Sequence, residues 1–169
     1  MIRILGVDPG LRITGYGALE CAPGAARLIE AGIIAPKAGV PLERRLGELY
    51  RELCAVIAAI APDVMVIEEL WSAYKNPTTA VLMGHARGVL CLAADTHGVR
   101  LRHLAHSHVK RALTGSGSAR KEQVKRVVML QLALRTKPEP DDVSDALALA
   151  LALANIEQAE ARLAKAGIA

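Results

Sequence analysis

Apolar positions along this chain recur with two different periods, and each change of period marks an element. Residues 2–7 form a short apolar run that reads as a strand, closed by the tight Asp8-Pro9-Gly10 turn. Residues 14–19 and 27–34 are the next strands, and their short connections favour a meander. Pro41 then opens a helix in which Leu42, Leu46, Leu49, Leu53, Val56 or Ile57, and Ile60 follow steps of three and four, until Pro62 ends it. Residues 64–67 are apolar throughout, as expected of a central strand covered on both faces. After a loop at 70–76, Pro77 sits where a second helix can start; it runs to about Thr96 and stops at Gly98. Gly84 and Gly88, one turn apart, would let another backbone approach, either in packing on the sheet or in a contact with a second copy.

Residues 99–104 make a fifth strand, and a short helix at 109–113 precedes the flexible stretch 114–119. Residues 121–134 form a basic helix with an apolar side at Val124, Val127, Val128 and Leu132. Lys137-Pro138-Glu139-Pro140 is a stiff linker. The last helix starts near Asp141, is almost wholly apolar through Ile156 and must therefore be buried against the sheet. The expectation is an α/β fold, a five-stranded mixed sheet flanked by helices, in one domain spanning 1–169 whose last ~12 residues are a charged helical tail.

Phe is absent, so the core must be aliphatic, and the few aromatics, Tyr16, Tyr50, Tyr74 and Trp71, stand out. Cys21, Cys54 and Cys91 show no short spacing, which argues for a reducing compartment and against a zinc knuckle. The longest uncharged runs fall well short of the roughly 18 residues of a membrane span. With a strand opening at once after Met1 and no charged leader, the expected location is the cytoplasm.

Charge changes the picture more. The net charge of +4 is concentrated in residues 100–126, where Arg100, Arg102, Lys110, Arg111, Arg120, Lys121, Lys125 and Arg126 face Glu122 alone. Such a block suggests a polyanionic substrate, against the plainer reading of a solvated helical face. Beside it the sequence sets four carboxylates. Asp8 and Glu68 each end an apolar strand, and Asp142 and Asp145 lie three apart at the start of a helix, facing one way. Acids at the ends of buried strands are costly unless compensated, and a pair of hard cations would compensate them. Carboxylate oxygens suit Mg²⁺ or Mn²⁺ rather than a soft metal, and two such ions can promote in-line phosphoryl transfer. Asp141 reads as a charge that favours the helix N-terminus, which is also the plainer alternative for Asp142 and Asp145. Glu69 should point away from Glu68.

Gly6-Val7-Asp8-Pro9-Gly10-Leu11-Arg12-Ile13-Thr14-Gly15-Tyr16-Gly17 closely resembles the opening motif of the RuvC-type Holliday-junction resolvases. Further segments follow in that family's order: Ile67-Glu68-Glu69-Leu70-Trp71, Ala86-Arg87-Gly88-Val89, Val109-Lys110, the run from Gly115 to Val124, and Asp141-Asp142-Val143-Ser144-Asp145-Ala146-Leu147-Ala148. The resemblance covers Met1 to about Asn155. It implies a ribonuclease-H-like fold, a homodimer and symmetric paired nicking of four-way junction DNA, leaving 5′-phosphate and 3′-hydroxyl ends.

Carried over onto this sequence, the resemblance makes Asp8, Glu68, Asp142 and Asp145 the catalytic metal ligands, for two Mg²⁺ per site or Mn²⁺ in their place. It puts Lys110 and Lys121 at the DNA backbone and the active site, and Trp71, where the family commonly carries Phe, against an unpaired base. Arg111, Arg120, Lys125 and Arg126 would add phosphate contacts. The general base is open between Lys121 and a water. RuvA and RuvB, the branch-migration proteins, are the implied partners. The chain departs from the family's wording at Ser118-Ala119-Arg120, at Ser144 in place of a small apolar residue, and at Asn155 in place of histidine.

Three other readings compete. Asp8-Pro9-Gly10 also resembles the phosphate loop of actin-like ATPases and sugar kinases, but those need a second lobe that 169 residues cannot supply. A YqgF-like pre-ribosomal-RNA nuclease is the enzymatic rival; the long second helix and the 115–121 segment favour RuvC. A non-catalytic junction-binding module would have no need of all four acids.

Overall fold

The computed structural model describes residues 1–69 and 76–167. Its strands are β1 (Ile2–Asp8), β2 (Thr14–Ala22), β3 (Ala25–Ile34), β4 (Val64–Glu68) and β5 (Arg100–Leu104). The helices are α1 (Leu42–Ile60), α2 (Pro77–Thr96), α3 (His106–Thr114), α4 (Lys121–Gln131) and α5 (Asp141–Lys165). The sheet order is β3-β2-β1-β4-β5. β1, β2 and β3 form the expected antiparallel meander, while β4 and β5 run parallel to β1.

Side chains of a strand alternate between faces, and that alternation divides the core in two. Ile4, Val64 and Val66 pack on one side with α3, α4 and the apolar half of α5. Leu5, Val7, Met65 and Ile67 pack on the other with α1 and α2. Asp8 and Glu68 continue the first set, so both carboxylates emerge on the α5 side where β1 and β4 end. Crevices at the carboxyl ends of parallel strands are the common place for sites in α/β sheets.

The strip from Val143 to Ala154 in α5 is buried except at Asp145, because one side of it lies on β1 and β2 and another on α3 and α4. Such close seating needs glycines. A Cβ at Gly6 would collide with the carbonyl of Ala146, and one at Gly15 with the backbone of Asp142.

Several bounds differ from the sequence expectation. β2 runs to Ala22 and β3 starts at Ala25, since Glu20 pairs across the hairpin with Arg27 at 2.9 Å and Gly24 turns with φ +80°. α3 begins at His106, three residues early, because His106, Ser107 and His108 carry no apolar period to announce a helix. α4 ends at Gln131, with Leu132 as its cap and Ala133 at φ 50°. Pro77 does occupy the first turn of α2, and Asn76 Oδ1 accepts from Thr78 N–H at 2.9 Å. Gly84 and Gly88 do not pack on the sheet: both are exposed, and an added Cβ would meet nothing within 4 Å.

Candidate active site

Three elements bring the acids together. Asp8 ends β1 between Gly15 of β2 and the end of β4, where Val7 pairs with Ile67 and Glu68 follows. The N-terminus of α5 lies over β2 at Gly15, which seats Asp142 above the sheet with Asp145 one turn further on. A cleft of about 60 Å³ opens there, walled by Asp8, Glu68, Asp145, Lys110, Lys121 and His106 and floored by Val109, Val124, Ala148 and Leu149. Asp142 sits beside this cleft rather than on its wall. Glu69 turns away: it is exposed, its N–H donates to Leu104 O, and its charge acts on His103.

The electrostatics follow from crowding. Burial first, then the charges of Asp145, Glu68 and Asp142, push the Asp8 carboxyl up from 3.8 to about 7, against the pull of Lys121. Lys121 donates to Asp145 Oδ2 at 2.7 Å and lies 3.5 Å from Asp141 Oδ2. Burial lowers the pKa of its ammonium, but Asp145 and then Asp141 outweigh that and hold it above the ordinary lysine value. His106 Nδ1 meets Glu68 Oε1 at 2.9 Å, and Arg87 Nε donates to the Glu68 carbonyl at 3.1 Å. Among the described residues no three His, Cys, Asp or Glu side chains stand together as a ready metal cage. Asp145 and Glu68 are drawn instead to Lys121 and His106.

The chemistry of the donor set nonetheless fits hard divalent cations. Four carboxylates converge on one end of the sheet, and burial and then the charges of Asp145, Glu68 and Asp142 disfavour the charged form of Asp8, a cost that a dication would offset. The nitrogen now on Asp145 is a lone ammonium at the edge of the cleft, half exposed and so displaceable.

The basic block is less uniform than its sequence. Lys110 lines the cleft, and Arg111 on α3, Arg120 at the cap of α4 and Arg126 on α4 are exposed. Lys125 is not a surface cation: only 5% exposed, it donates to Asp141 Oδ1 at 2.8 Å and lies 3.5 Å from Glu122, which closes α4 onto α5. That burial weighs against the sequence expectation that Lys125 meets DNA. Arg100 and Arg102 are likewise drawn to Glu157, at 2.8 and 3.8 Å. Asp141 accepts from Lys125 and Lys137, which hold its carboxyl well below the usual range, so it is the hub of a lysine cluster rather than only a helix-terminus charge. Trp71 lies outside the described residues.

Two departures from the family's wording are absorbed structurally. Ser144 is buried and donates to Pro138 O at 2.9 Å; Asn155 donates to Ala112 O at 3.3 Å and ties α5 to α3. The sequence reading missed His106 and Arg87 as neighbours of Glu68. His106 was hidden by the unrecognised first turn of α3. Arg87 was visible only as part of the Ala86-Arg87-Gly88 motif.

Comparison with known proteins gives a consistent picture. The family model described as "Crossover junction endodeoxyribonuclease RuvC" matches residues 4–153. A protein of that name from Rhodopirellula baltica is 46% identical over 140 residues, 83% of this chain and 79% of its own. The Thermus thermophilus RuvC structure is similar with a TM-score of 0.86 and 30% identity, over 94% of this chain and 97% of that one. A second structure, of Thermus thermophilus RuvC in complex with Holliday junction substrate, gives a TM-score of 0.90 at 29% identity, over 95% and 97%. The five-stranded mixed sheet flanked by helices is the ribonuclease-H-like fold.

Proposed function

The chain belongs to the RuvC family of crossover junction endodeoxyribonucleases, and from that premise we propose that it resolves Holliday junctions as a metal-dependent homodimer in recombination and repair. Each protomer nicks one of two opposed strands and leaves a 5′-phosphate and a 3′-hydroxyl. The observation that carries the reading is the convergence of Asp8, Glu68 and Asp145 on one cleft with Lys110 and Lys121, at the carboxyl ends of β1 and β4. A junction-binding module without catalysis has no use for a carboxyl pushed up to about 7 by burial and then by three neighbouring acids. YqgF-like cleavage of RNA is the alternative to be tested.

Asp8, Glu68, Asp142 and Asp145 would hold the divalent metal, two Mg²⁺ per site with Mn²⁺ able to substitute. When bound, the metal supplies charge neutralisation at the scissile phosphate and Lewis acidity for the attacking water and the departing oxygen. The rest falls to side chains of the chain. Asp8, raised to about 7, is about half protonated at neutral pH and would release that proton to solvent on acting as a ligand. Lys121 leaves Asp145 and turns its ammonium to the DNA, where Lys110, Arg111, Arg120 and Arg126 also meet phosphates without reading sequence. Trp71 stacks on an unpaired base near the cut, worth about 1–3 kcal/mol.

The homodimer would form through α2, whose exposed side carries Val81, Gly84, His85, Gly88 and Leu92 along one stripe. A two-fold axis there would present two clefts to the two-fold strand pair of a junction. RuvA and RuvB are the proposed partners, and residues 1–169 act as one nuclease domain. The proposed location is the cytoplasm, in keeping with three free cysteines and with no described helix long and apolar enough to cross a membrane.

Asp8→Asn tests the catalytic assignment. Junction binding by gel shift should persist while cleavage in Mg²⁺ or Mn²⁺ falls by at least a thousandfold. Undiminished cleavage by the folded variant would overturn it.

A further inference from the structure

Glu68 is held at both ends. Its backbone carbonyl accepts from Arg87 Nε at 3.1 Å, and its Oε1 lies 2.9 Å from His106 Nδ1. A carboxylate can only accept, so His106 must carry its proton on Nδ1 and donate it. The geometry explains why the contact forms. Glu68 pairs with Leu104 across the β4–β5 ladder, and α3 starts two residues after Leu104. The first residue of α3 therefore stands directly over the Glu68 side chain, on the wall of the cleft it shares with Asp8, Asp145, Lys110 and Lys121.

The two nitrogen contacts in this cleft differ in kind. Lys121 brings a full charge to Asp145 and must leave before that oxygen can bind a cation. His106 can hold Glu68 as a neutral imidazole, through one oxygen, without spending the carboxylate's charge. We propose that His106 is a positioning residue for metal binding: it fixes the Glu68 carboxylate through Oε1 and presents Oε2 to the cation. Hydrogen-bond partners of this kind orient metal-binding carboxylates, and losing one typically costs 10–100-fold in metal affinity. This inference rests on the reading of Glu68 as a metal ligand.

The test is Mn²⁺ binding to the DNA-free protein, followed by electron paramagnetic resonance and calorimetry, for the wild type, Asp8→Asn, His106→Ala and His106→Asn. His106 is exposed, so its variants should fold, which thermal unfolding would verify. The wild type should bind Mn²⁺ and Asp8→Asn should lose that site. His106→Ala should bind about 10–100-fold more weakly, and His106→Asn, which keeps an N–H donor near the same place, should recover to within a few-fold. Equal or tighter Mn²⁺ binding by His106→Ala would overturn the proposal and make His106 a mere counter-ion. So would an unrescued His106→Asn, or a loss of metal-free junction affinity in place of Mn²⁺ affinity. A wild type with no Asp8-dependent Mn²⁺ site would remove the metal reading itself, a result distinct from the others.

Discussion

Asp8 stands at the strand end where burial and three like charges converge, and its raised pKa has a consequence for stability. A carboxyl that binds its proton more tightly when folded opposes folding once the pH rises above its unfolded value near 4, and the opposition is complete above about 7. Asp8→Asn removes that term. Without metal, the variant should be more stable than the wild type at pH 8, by up to about 4 kcal/mol for a shift of three units, and the two should converge as the pH falls toward 4. Urea unfolding across that range in a chelator measures it; a variant less stable at every pH would show that Asp8 is not under strain. Gly15 acts at the same scale by its lack of a side chain. Gly15→Ala would drive a methyl into the Asp142 backbone. It should destabilise the fold by on the order of 3 kcal/mol, the upper end of ordinary overpacking, and should abolish cleavage by lifting the start of α5. Stability within 0.5 kcal/mol of wild type would mean that α5 is less closely seated on β2 than described.

At the scale of elements, α3 and α4 form the basic wall of the cleft, but their cations divide into two sets. Lys110 and Lys121 line the cleft, Lys121 on Asp145, and Arg111, Arg120 and Arg126 are exposed, whereas Lys125 is buried against Asp141 and Glu122; Arg100, on β5, is drawn to Glu157. Each phosphate contact releases counterions and steepens the salt dependence of binding. Removing Lys110 or Arg111 should therefore lower the slope of log affinity against log salt by about 1 each. Arg100→Ala should leave the slope as it is. Equal effects at all three positions would contradict this division. The sequence could not make that division, since lysines with a bound acid and lysines without one read alike. What was legible were the strands and the long helices, whose apolar periods are strong, and the acids at their ends. The hairpin ends, the first turn of α3 and the approach of His106 to Glu68 were not, because they depend on polar pairs brought together across the sheet. Of the two readings of Gly84 and Gly88, packing on the sheet is excluded, because both lie on the exposed side of α2.

For the whole molecule, paired cutting demands two clefts in fixed relation, and the stripe on α2 is the surface proposed to provide it. Val81 is 59% exposed and Leu92 53%. Val81→Glu together with Leu92→Glu should convert a dimer to a monomer in light scattering and replace paired nicks by scattered single ones, with the fold intact by circular dichroism. A dimer that survives both charges would move the interface elsewhere.

The deciding measurement is a strand-by-strand map of cuts in a mobile synthetic four-way DNA junction in Mg²⁺ or Mn²⁺, beside duplex DNA and an RNA hairpin. Symmetric nicks on two opposed strands of the junction alone, resealed by ligase without further processing, are the expected result. Binding without cutting under either metal, or cleavage of the RNA in preference to the junction, would contradict the assignment of this chain as a junction resolvase.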